Sequence, residues 1–165
     1  MAAPRFPIKG YVLRDADTHD DRYLKECMEK NILLSVSDTE KEYSDMWMDD
    51  IMSVTSIAME DRLMRSEIFI LENNEKERNG MLWLGISRDE FTCEETGYLL
   101  GVFVNEELRR KGIGKELVNC AEHWCREKGM IAMTLNVGSE NKNAKDFYEH
   151  LEFKERSSVM RIRLR

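Results

Sequence analysis

The sequence predicts a mixed α/β domain with an antiparallel first half and a parallel βαβ crossover in its second half. The order of patterned segments is a strand, two helical stretches, three strands, a helix, a strand, a helix and a closing strand. The polar stretch 73–80 separates two apolar runs, as in a hairpin. The apolar strand Thr96–Val104 is followed by a helix and the strand Ile131–Val137, as a crossover requires. We find no linker or repeat, so residues 1–165 are expected to form one domain.

The first half carries signals for one strand and two helical stretches. Residues Ile8–Leu13 read as a strand, and the capping side chains that begin at Asp15 precede a helix through about Lys30. A capping box at Ser37–Glu40 begins a long helical stretch to about Met64. Its length favours two helices with a bend near Ser53–Ser56.

The second half alternates strands and helices. The hairpin strands are Glu67–Glu72 and Met81–Ser87, and a helix from about Gly112 to Lys128 follows the strand Thr96–Val104. A short helix at Asn143–His150 precedes a closing strand at Phe153–Leu164. In that last strand apolar residues alternate with Arg161, Arg163 and Arg165, which favours a solvated face over a nucleic-acid surface.

Composition and charge exclude several classes of function. With 165 residues and 42% hydrophobic side chains, the chain can bury a core without a disulfide or a metal. A net charge of −7 disfavours nucleic acid as a partner, and no apolar run approaches the roughly 20 residues of a membrane span. The first residues lack the apolar stretch of a signal peptide, so we expect a cytoplasmic location.

The cysteines do not form a recognisable site. They lack CxxC spacing and paired histidines, so the sequence predicts no metal site and four free thiols, Cys27, Cys93, Cys120 and Cys125.

The segment Leu99–Leu117 has the features of an anion cradle. It is a buried strand, a polar loop and a helix that opens with Gly112 and Gly114. Unpaired N–H groups and the positive end of the helix dipole suit phosphate, and glycine lets the backbone approach it. Arg109, Arg110 and Lys111 add positive charge in an acidic protein, which indicates a small anionic ligand. The segment has neither the GxxxxGK[ST] pattern nor the third glycine of GxGxxG, so both nucleotide-binding loops are excluded.

Two motifs resemble the GNAT superfamily of N-acetyltransferases. Residues Arg109–Gly114 are similar to its [Gln/Arg]-x-x-Gly-x-[Gly/Ala] signature, and Asn141–Phe153 is similar to its Asn-x-x-Ala-x-x-x-Tyr-x-x-x-Gly-Phe stretch. The resemblance covers Thr96–Phe153. It implies a GNAT-like, mostly antiparallel sheet flanked by helices, with a βαβ core that binds acetyl-CoA.

The resemblance also implies a role for each matching residue. The backbone of Val102, Phe103 and Val104 would pair with the pantetheine arm, and Tyr148 would protonate the leaving thiolate. Asn141 would contact the cofactor further along. The residues that would hold the pyrophosphate, chiefly through main-chain N–H groups, are Arg109, Arg110, Lys111, Gly112, Ile113, Gly114 and Lys115. The residues alone leave alternatives open, because Tyr148 could be a core aromatic and Asn141 a helix cap.

The sequence departs from the family pattern at two places. Tyr98 stands where many members carry a glutamate that serves as base, although Glu94 and Glu95 could act through water. Glu152 replaces the usual glycine before Phe153. The missing base keeps a second hypothesis open, namely a non-catalytic acyl-CoA-binding or interaction module.

The acceptor of the acetyl group is expected to be a small-molecule or peptide amine. By resemblance, the first two helices and their loop decide which amine binds. They carry an acidic cluster that either forms a solvated face or attracts a cationic amine; its members are Asp38, Glu40, Glu42, Asp45, Asp49, Asp50, Glu60 and Asp61. A homodimer is one open possibility for the assembly.

Overall fold

A five-stranded sheet forms the centre of the molecule. The computed structural model describes residues 3–60, 65–162 and 164. The strands follow their sequence order in the sheet; they are β1 (Tyr11–Asp15), β2 (Glu67–Asn73), β3 (Arg78–Arg88), β4 (Glu95–Val104) and β5 (Met133–Leu135). Strands β1 to β4 pair antiparallel and β4 pairs parallel with β5, which confirms the predicted mixed architecture and its crossover.

Helices flank this sheet. They are α1 (Asp21–Ser35), α2 (Asp38–Lys41), α3 (Met48–Glu60), α4 (Ile113–Glu127) and α5 (Lys142–His150). Short 3₁₀ turns lie at Thr18–Asp20, Ser44–Met46 and Glu106–Leu108. Within the described ranges, no helix has both the length and the apolar character needed to cross a membrane.

The helical stretch predicted after Ser37 breaks at a different place from the one expected. The capping box forms as expected, since the Ser37 Oγ accepts the Glu40 N–H at 3.3 Å and the Glu40 carboxylate accepts the Ser37 N–H at 3.0 Å. The helix nevertheless breaks before α3, not at Ser53–Ser56. The Trp47 indole N–H donates to the Glu40 carbonyl at 3.3 Å and satisfies a C-terminal carbonyl of α2. Residues 61–64, which complete the predicted helix, lie outside the described residues.

The predicted closing strand at Phe153–Leu164 is also wrong where the structure describes it. Residues 154–162 belong to no strand, and Val159 and Met160 are 99% and 94% exposed. Side-chain ion pairs hold this segment instead, because Arg156 pairs with Asp89 and Arg161 pairs with Glu40. The alternation of the sequence therefore has no neighbouring strand to pair with. Arg163 and Arg165 lie outside the described residues.

The core has one cluster on each face of the sheet. On one face α4 buries Leu117, Val118 and Trp124 against the strands, and on the other α1 buries Leu24 and Met28. Burying a large apolar side chain contributes about 1.5–3 kcal/mol. Both helices are therefore firmly attached, and so are the first residues of α4, which form the predicted cradle.

Candidate active site

Strand β4 has a free edge beyond the short strand β5. The parallel pairing joins only Gly97, Tyr98 and Leu99 of β4 to β5. A β-bulge accompanies the point where this pairing ends, since Trp83 of β3 lies opposite Gly101 while the next residue, Leu84, lies opposite Leu99. Leu100 is thus the extra residue on β4. A bulge re-aims the strand, and the described residues place no strand beside β4 from this point onward.

Backbone groups of Val102 and Val104 point to this open edge. The Val102 carbonyl accepts the Asn31 Nδ2 at 3.2 Å, and the Val104 carbonyl accepts the Arg109 Nε at 3.0 Å. Successive residues of a strand direct their hydrogen-bonding groups to opposite sides. Phe103 consequently directs its groups toward β3, where it lies opposite Met81.

The loop before α4 forms the predicted cradle, residues 109–115. Gly112 is the N-cap with φ of 80°, and Arg110 also has a positive φ of 63°. The first helical bond of α4 runs from the Glu116 N–H to the Gly112 carbonyl at 3.1 Å. Among the described residues, the N–H groups at positions 110–115 have no acceptor, so they are free to bind an anion.

The packing around position 114 does not require a glycine. Its φ is not positive, and a Cβ built there would lie 3.6 Å from Phe147 and 4.0 Å from Val104, which are ordinary contacts. A Cβ on Gly112 would meet nothing within 4 Å. No protein atom therefore fills the space beside either glycine, and a ligand can approach the backbone there.

The side chains of the cradle differ in their contacts. Those of Arg110, Lys111 and Lys115 are exposed, whereas Ile113 is buried in the core below α4. The Arg109 guanidinium is held by the Val104 carbonyl and lies 5.5 Å from the centroid of the Phe103 ring. Arg109 therefore ties the cradle to the end of β4.

Tyr148 lies on α5 close to the cradle. Its ring packs edge-on against Phe147 and Phe153, with centroids 5.1 Å and 5.6 Å away, and Phe147 is the neighbour of Gly114. The hydroxyl has no hydrogen-bond partner among the residues described. Burial raises the pKa of Tyr148 to about 12. The hydroxyl therefore carries its proton at neutral pH, although the raised pKa makes it a weaker acid than a free tyrosine.

Asn141 caps α5. Its Oδ1 accepts the Ala144 N–H at 3.2 Å, which is the helix-cap alternative that the sequence left open. Its Nδ2 makes no hydrogen bond within the described part of the chain, so the cap leaves a donor available.

No carboxylate of β4 lies beside the open edge. Glu95 begins the strand and pairs with Arg65, and Leu100 lies five steps of about 3.3 Å further along the strand. Glu94 precedes it and is exposed. At the position of the expected base, burial raises the pKa of Tyr98. The hypothesis that Glu94 or Glu95 acts as the base through water therefore has no geometric support.

A cavity of about 700 Å³ lies on the α1 side of the bulge. Leu100 and Asn31 lie where it meets β4, while Glu40 and Asp50 supply carboxylates to its wall. The other residues around it are Met28, Ile32, Ser35, Val36, Tyr43, Trp47, Ile51, Val54 and Arg161. Two of the predicted acidic residues thus line a cavity, while Asp61 lies outside the described residues.

Asn31 and Arg161 lie at the site although no sequence motif marks them. Asn31 interrupts the apolar spacing of Leu24, Cys27 and Met28 on α1, and that polar residue at an apolar position is the signal that could have revealed it. The contact of Arg161 with Glu40 joins distant parts of the chain and has no local signal.

The buried cysteines are poor nucleophiles. Burial raises the pKa of Cys120 and Cys125 to about 11 and that of Cys27 to about 12. All four cysteines are free thiols, as predicted.

Comparisons with known proteins identify the family. The model of the acetyltransferase (GNAT) family matches residues 33–153. An uncharacterized N-acetyltransferase of Bacillus subtilis is 29% identical over 97 residues, which cover 59% of this chain and 61% of that protein. Aminoglycoside N(6')-acetyltransferase type 1 of Salmonella typhimurium is 29% identical over 68 residues, 41% of this chain and 47% of that protein. The chain spans 26% to 61% of the lengths of the curated relatives that it matches.

Solved structures share the fold. An aminoglycoside N-acetyltransferase in complex with CoA has a TM-score of 0.67 at 18% identity, covering 94% of this chain and 95% of that one. The same enzyme with the bisubstrate analogue CoA-S-monomethyl-acetylneamine has a TM-score of 0.63 at 18% identity, covering 94% and 98%. Since the family model covers well over half of the sequence, the chain belongs to the acetyltransferase (GNAT) family.

Proposed function

We propose that the protein transfers an acetyl group from acetyl-CoA to a primary amine by direct attack, within a single domain formed by residues 1–165. The observation that carries the proposal is the adjacency of the cradle and the free edge of β4. Unpaired N–H groups at the start of α4 suit a diphosphate, and the free edge of β4 suits an extended amide-bearing arm. Coenzyme A combines these two chemical features.

Each part of the co-substrate has a partner in this arrangement. The backbone of Val102 and Val104 would pair with the pantetheine arm, while Phe103 packs below it. The N–H groups of residues 110–115 would hold the diphosphate, with charge from Arg110, Lys111 and Lys115. The free Nδ2 of Asn141 would donate to the arm further along.

The transfer step needs three groups around the thioester. The neutral amine attacks the carbonyl carbon, the C–N bond forms and the C–S bond breaks. The Val102 N–H would stabilise charge on the carbonyl oxygen. Tyr148 would give its proton to the departing thiolate, and the proton lost by the amine nitrogen returns to the tyrosine through water, so the protons balance.

The amine must reach the site in its neutral form. For an alkylamine with a pKa near 10.4, deprotonation at pH 7 adds about 4.6 kcal/mol to the barrier. No carboxylate of β4 itself, which is described over its full length, lies at the open edge to remove this proton. The proposal therefore assigns the deprotonation to water, so the rate should follow the fraction of neutral amine.

The acceptor is proposed to be a cationic amine that enters the cavity beside Leu100. Asp50 supplies negative charge there, while Glu40 is already paired with Arg161. Ile51 and Val54 supply apolar contact. Relatives named aminoglycoside acetyltransferases act on molecules of this charge, which supports the class without specifying the compound.

The experiment is a measurement of thiol release from acetyl-CoA over a panel of primary amines, with CoA binding measured in parallel. Turnover with at least one cationic amine is expected. Binding of CoA without turnover of any amine would refute the enzymatic proposal and favour the non-catalytic acyl-CoA-binding module.

A further inference from the structure

The side chain of Asn31 joins the acceptor cavity to the open edge of β4. We propose that Asn31 binds the attacking amine: its Nδ2 fixes the side chain on the Val102 carbonyl, and its Oδ1 accepts a hydrogen bond from the amine N–H. This inference rests on the proposed acetyltransferase function and adds a residue from α1 to it.

The orientation of the amide follows from the chemistry of its partner. The Val102 carbonyl can only accept hydrogen bonds, so the Nδ2 must face it, at 3.2 Å. A carbonyl has two lone pairs, so the other stays available to a ligand at the edge of the strand. The contact places Asn31 on the same residue whose N–H is proposed to stabilise the thioester oxygen.

The second half of the amide is available to a substrate. Among the described residues the Oδ1 of Asn31 has no hydrogen-bond donor, and the residue is half-buried in the cavity wall beside Leu100. A half-buried amide oxygen without a partner is unfavourable unless water or a ligand satisfies it. An amine that approaches the thioester from this cavity can supply the missing N–H.

Packing alone does not explain asparagine at this position. Asn31 lies inside α1, where asparagine is a weaker helix former than alanine, and it continues the apolar face formed by Cys27 and Met28. Places where a sequence breaks local rules are often functional sites. The polar group is therefore better explained by a ligand than by the helix.

The proposed contact would act most strongly during the reaction. As the amine nitrogen attacks, positive charge develops on it and its remaining N–H becomes a stronger donor. A hydrogen bond to the Asn31 Oδ1 then strengthens, as charge-assisted hydrogen bonds do. A contact that strengthens in the transition state changes kcat more than KM.

The test compares Asn31→Ala with the control Glu29→Ala. Glu29 lies on the same helix, α1, but it is exposed and does not line the cavity. Asn31→Ala is expected to lower kcat for the amine at least about tenfold, as losses of transition-state contacts do. The KM for acetyl-CoA and the slow hydrolysis of acetyl-CoA without amine should stay within about twofold. Glu29→Ala should leave all three unchanged.

A second variant separates the two halves of the amide. Asn31→Asp keeps an acceptor oxygen and loses the donor to Val102, so it should retain more amine transfer than Asn31→Ala. Equal losses of hydrolysis and amine transfer in Asn31→Ala would overturn the inference, since the residue would then act only through the strand. Unchanged amine transfer would overturn it as well. Absence of turnover by the wild-type protein would refute the proposed function itself, and the inference with it.

Discussion

A Cβ atom built on Gly138 would lie 2.0 Å from the carbonyl oxygen of Ser35. Ser35 is the last residue of α1, and Gly138 lies in the loop between β5 and α5. The Gly138 carbonyl also accepts the N–H of Asn141 at 3.0 Å, just before α5 begins. This backbone contact therefore holds the helix that lines the acceptor cavity against the loop that leads to Tyr148.

Replacing Gly138 by alanine should push these two elements apart. An extra methyl group forced against rigid backbone typically lowers the free energy of unfolding by about 1–3 kcal/mol. We expect Gly138→Ala to lower the denaturant midpoint and to reduce kcat/KM for the amine. Gly114→Ala is the stability control, because its Cβ makes only ordinary contacts. Equal midpoints for the wild type and Gly138→Ala would show that the loop is not held at Ser35.

Replacing Tyr148 by phenylalanine should remove the proton donor and keep the ring packing against Phe147 and Phe153. General acid catalysis typically contributes a factor of 10² to 10⁴, so we expect kcat to fall by about that factor with little change in the KM for acetyl-CoA. Tyr11→Phe on β1 is the matched control. A kcat for Tyr148→Phe within about twofold of the wild type would assign the ring a packing role only.

The pH dependence of the reaction should follow the amine and not Tyr148. Burial raises the pKa of Tyr148 to about 12, so the tyrosine stays protonated through the usual assay range. We expect kcat/KM for an alkylamine to rise with pH until the amine is neutral, near pH 10. A decline that begins near pH 8 would contradict the assignment of a protonated Tyr148 as the acid.

The buried carboxylate of Asp20 should make stability depend on Arg14. Asp20 is fully buried and accepts hydrogen bonds from Arg14 at 2.7 and 2.9 Å and from Arg78 at 2.6 Å. Removing one partner of a buried pair typically costs about 3–5 kcal/mol, so Arg14→Met should be destabilised by about 3 kcal/mol at pH 7. Arg22→Met removes an exposed pair with Glu26 and should cost less than about 1 kcal/mol.

The sign of the pH effect on this pair follows from the direction of the shift. The Arg14 guanidinium holds the pKa of Asp20 well below its usual range. A carboxyl group with a lowered native pKa stabilises the fold above its unfolded pKa of about 3.9, and this contribution is lost as the pH falls further. The difference between the wild type and Arg14→Met should therefore be largest at pH 7 and shrink below pH 4. A stability difference between the two proteins that stays the same from pH 7 to below pH 4 in denaturant melts would contradict this expectation.

The acceptor cavity should respond to salt if its carboxylates attract a cation. At saturating acetyl-CoA, raising salt from about 0.05 to about 0.5 M should raise the KM for a cationic amine several-fold. Asp50→Asn should raise it similarly at low salt, because the Asp50 carboxylate lines the cavity and has no cationic partner among the described residues. If the KM stays constant under both changes, the acidic cluster is a solvated face.

The sequence predicts most of what is local in this fold. The glycines and basic residues of the cradle, the capping box at Ser37 and the crossover from β4 to β5 all depend on neighbours along the chain. The helix that begins after Gly112, the capping box and the crossover are confirmed, and the family resemblance is confirmed by the match to residues 33–153. The assigned roles of Tyr148, Asn141 and the cradle residues stay predictions.

Long-range contacts explain what the sequence could not predict. The alternation of residues after Phe153 suits a strand, but a strand needs a partner, and Arg156 and Arg161 pair through their side chains instead. The break between α2 and α3 depends on Trp47 folding back onto Glu40. The approach of Asn31 to Val102 depends on how α1 packs on the sheet, which no local pattern encodes.

The most direct test of the proposed diphosphate site is calorimetric titration of CoA into the wild type and Gly114→Asp, with pantetheine as the ligand that lacks the diphosphate. CoA should bind the wild type, and the added carboxylate should repel the diphosphate and weaken this binding at least about tenfold. The variant should keep its stability, because a Cβ at Gly114 makes only ordinary contacts and an acidic residue suits the first turn of a helix; it should also keep its response to pantetheine. Absence of heat with CoA, or equal affinities of the two proteins for it, would contradict the claim that the start of α4 binds a diphosphate.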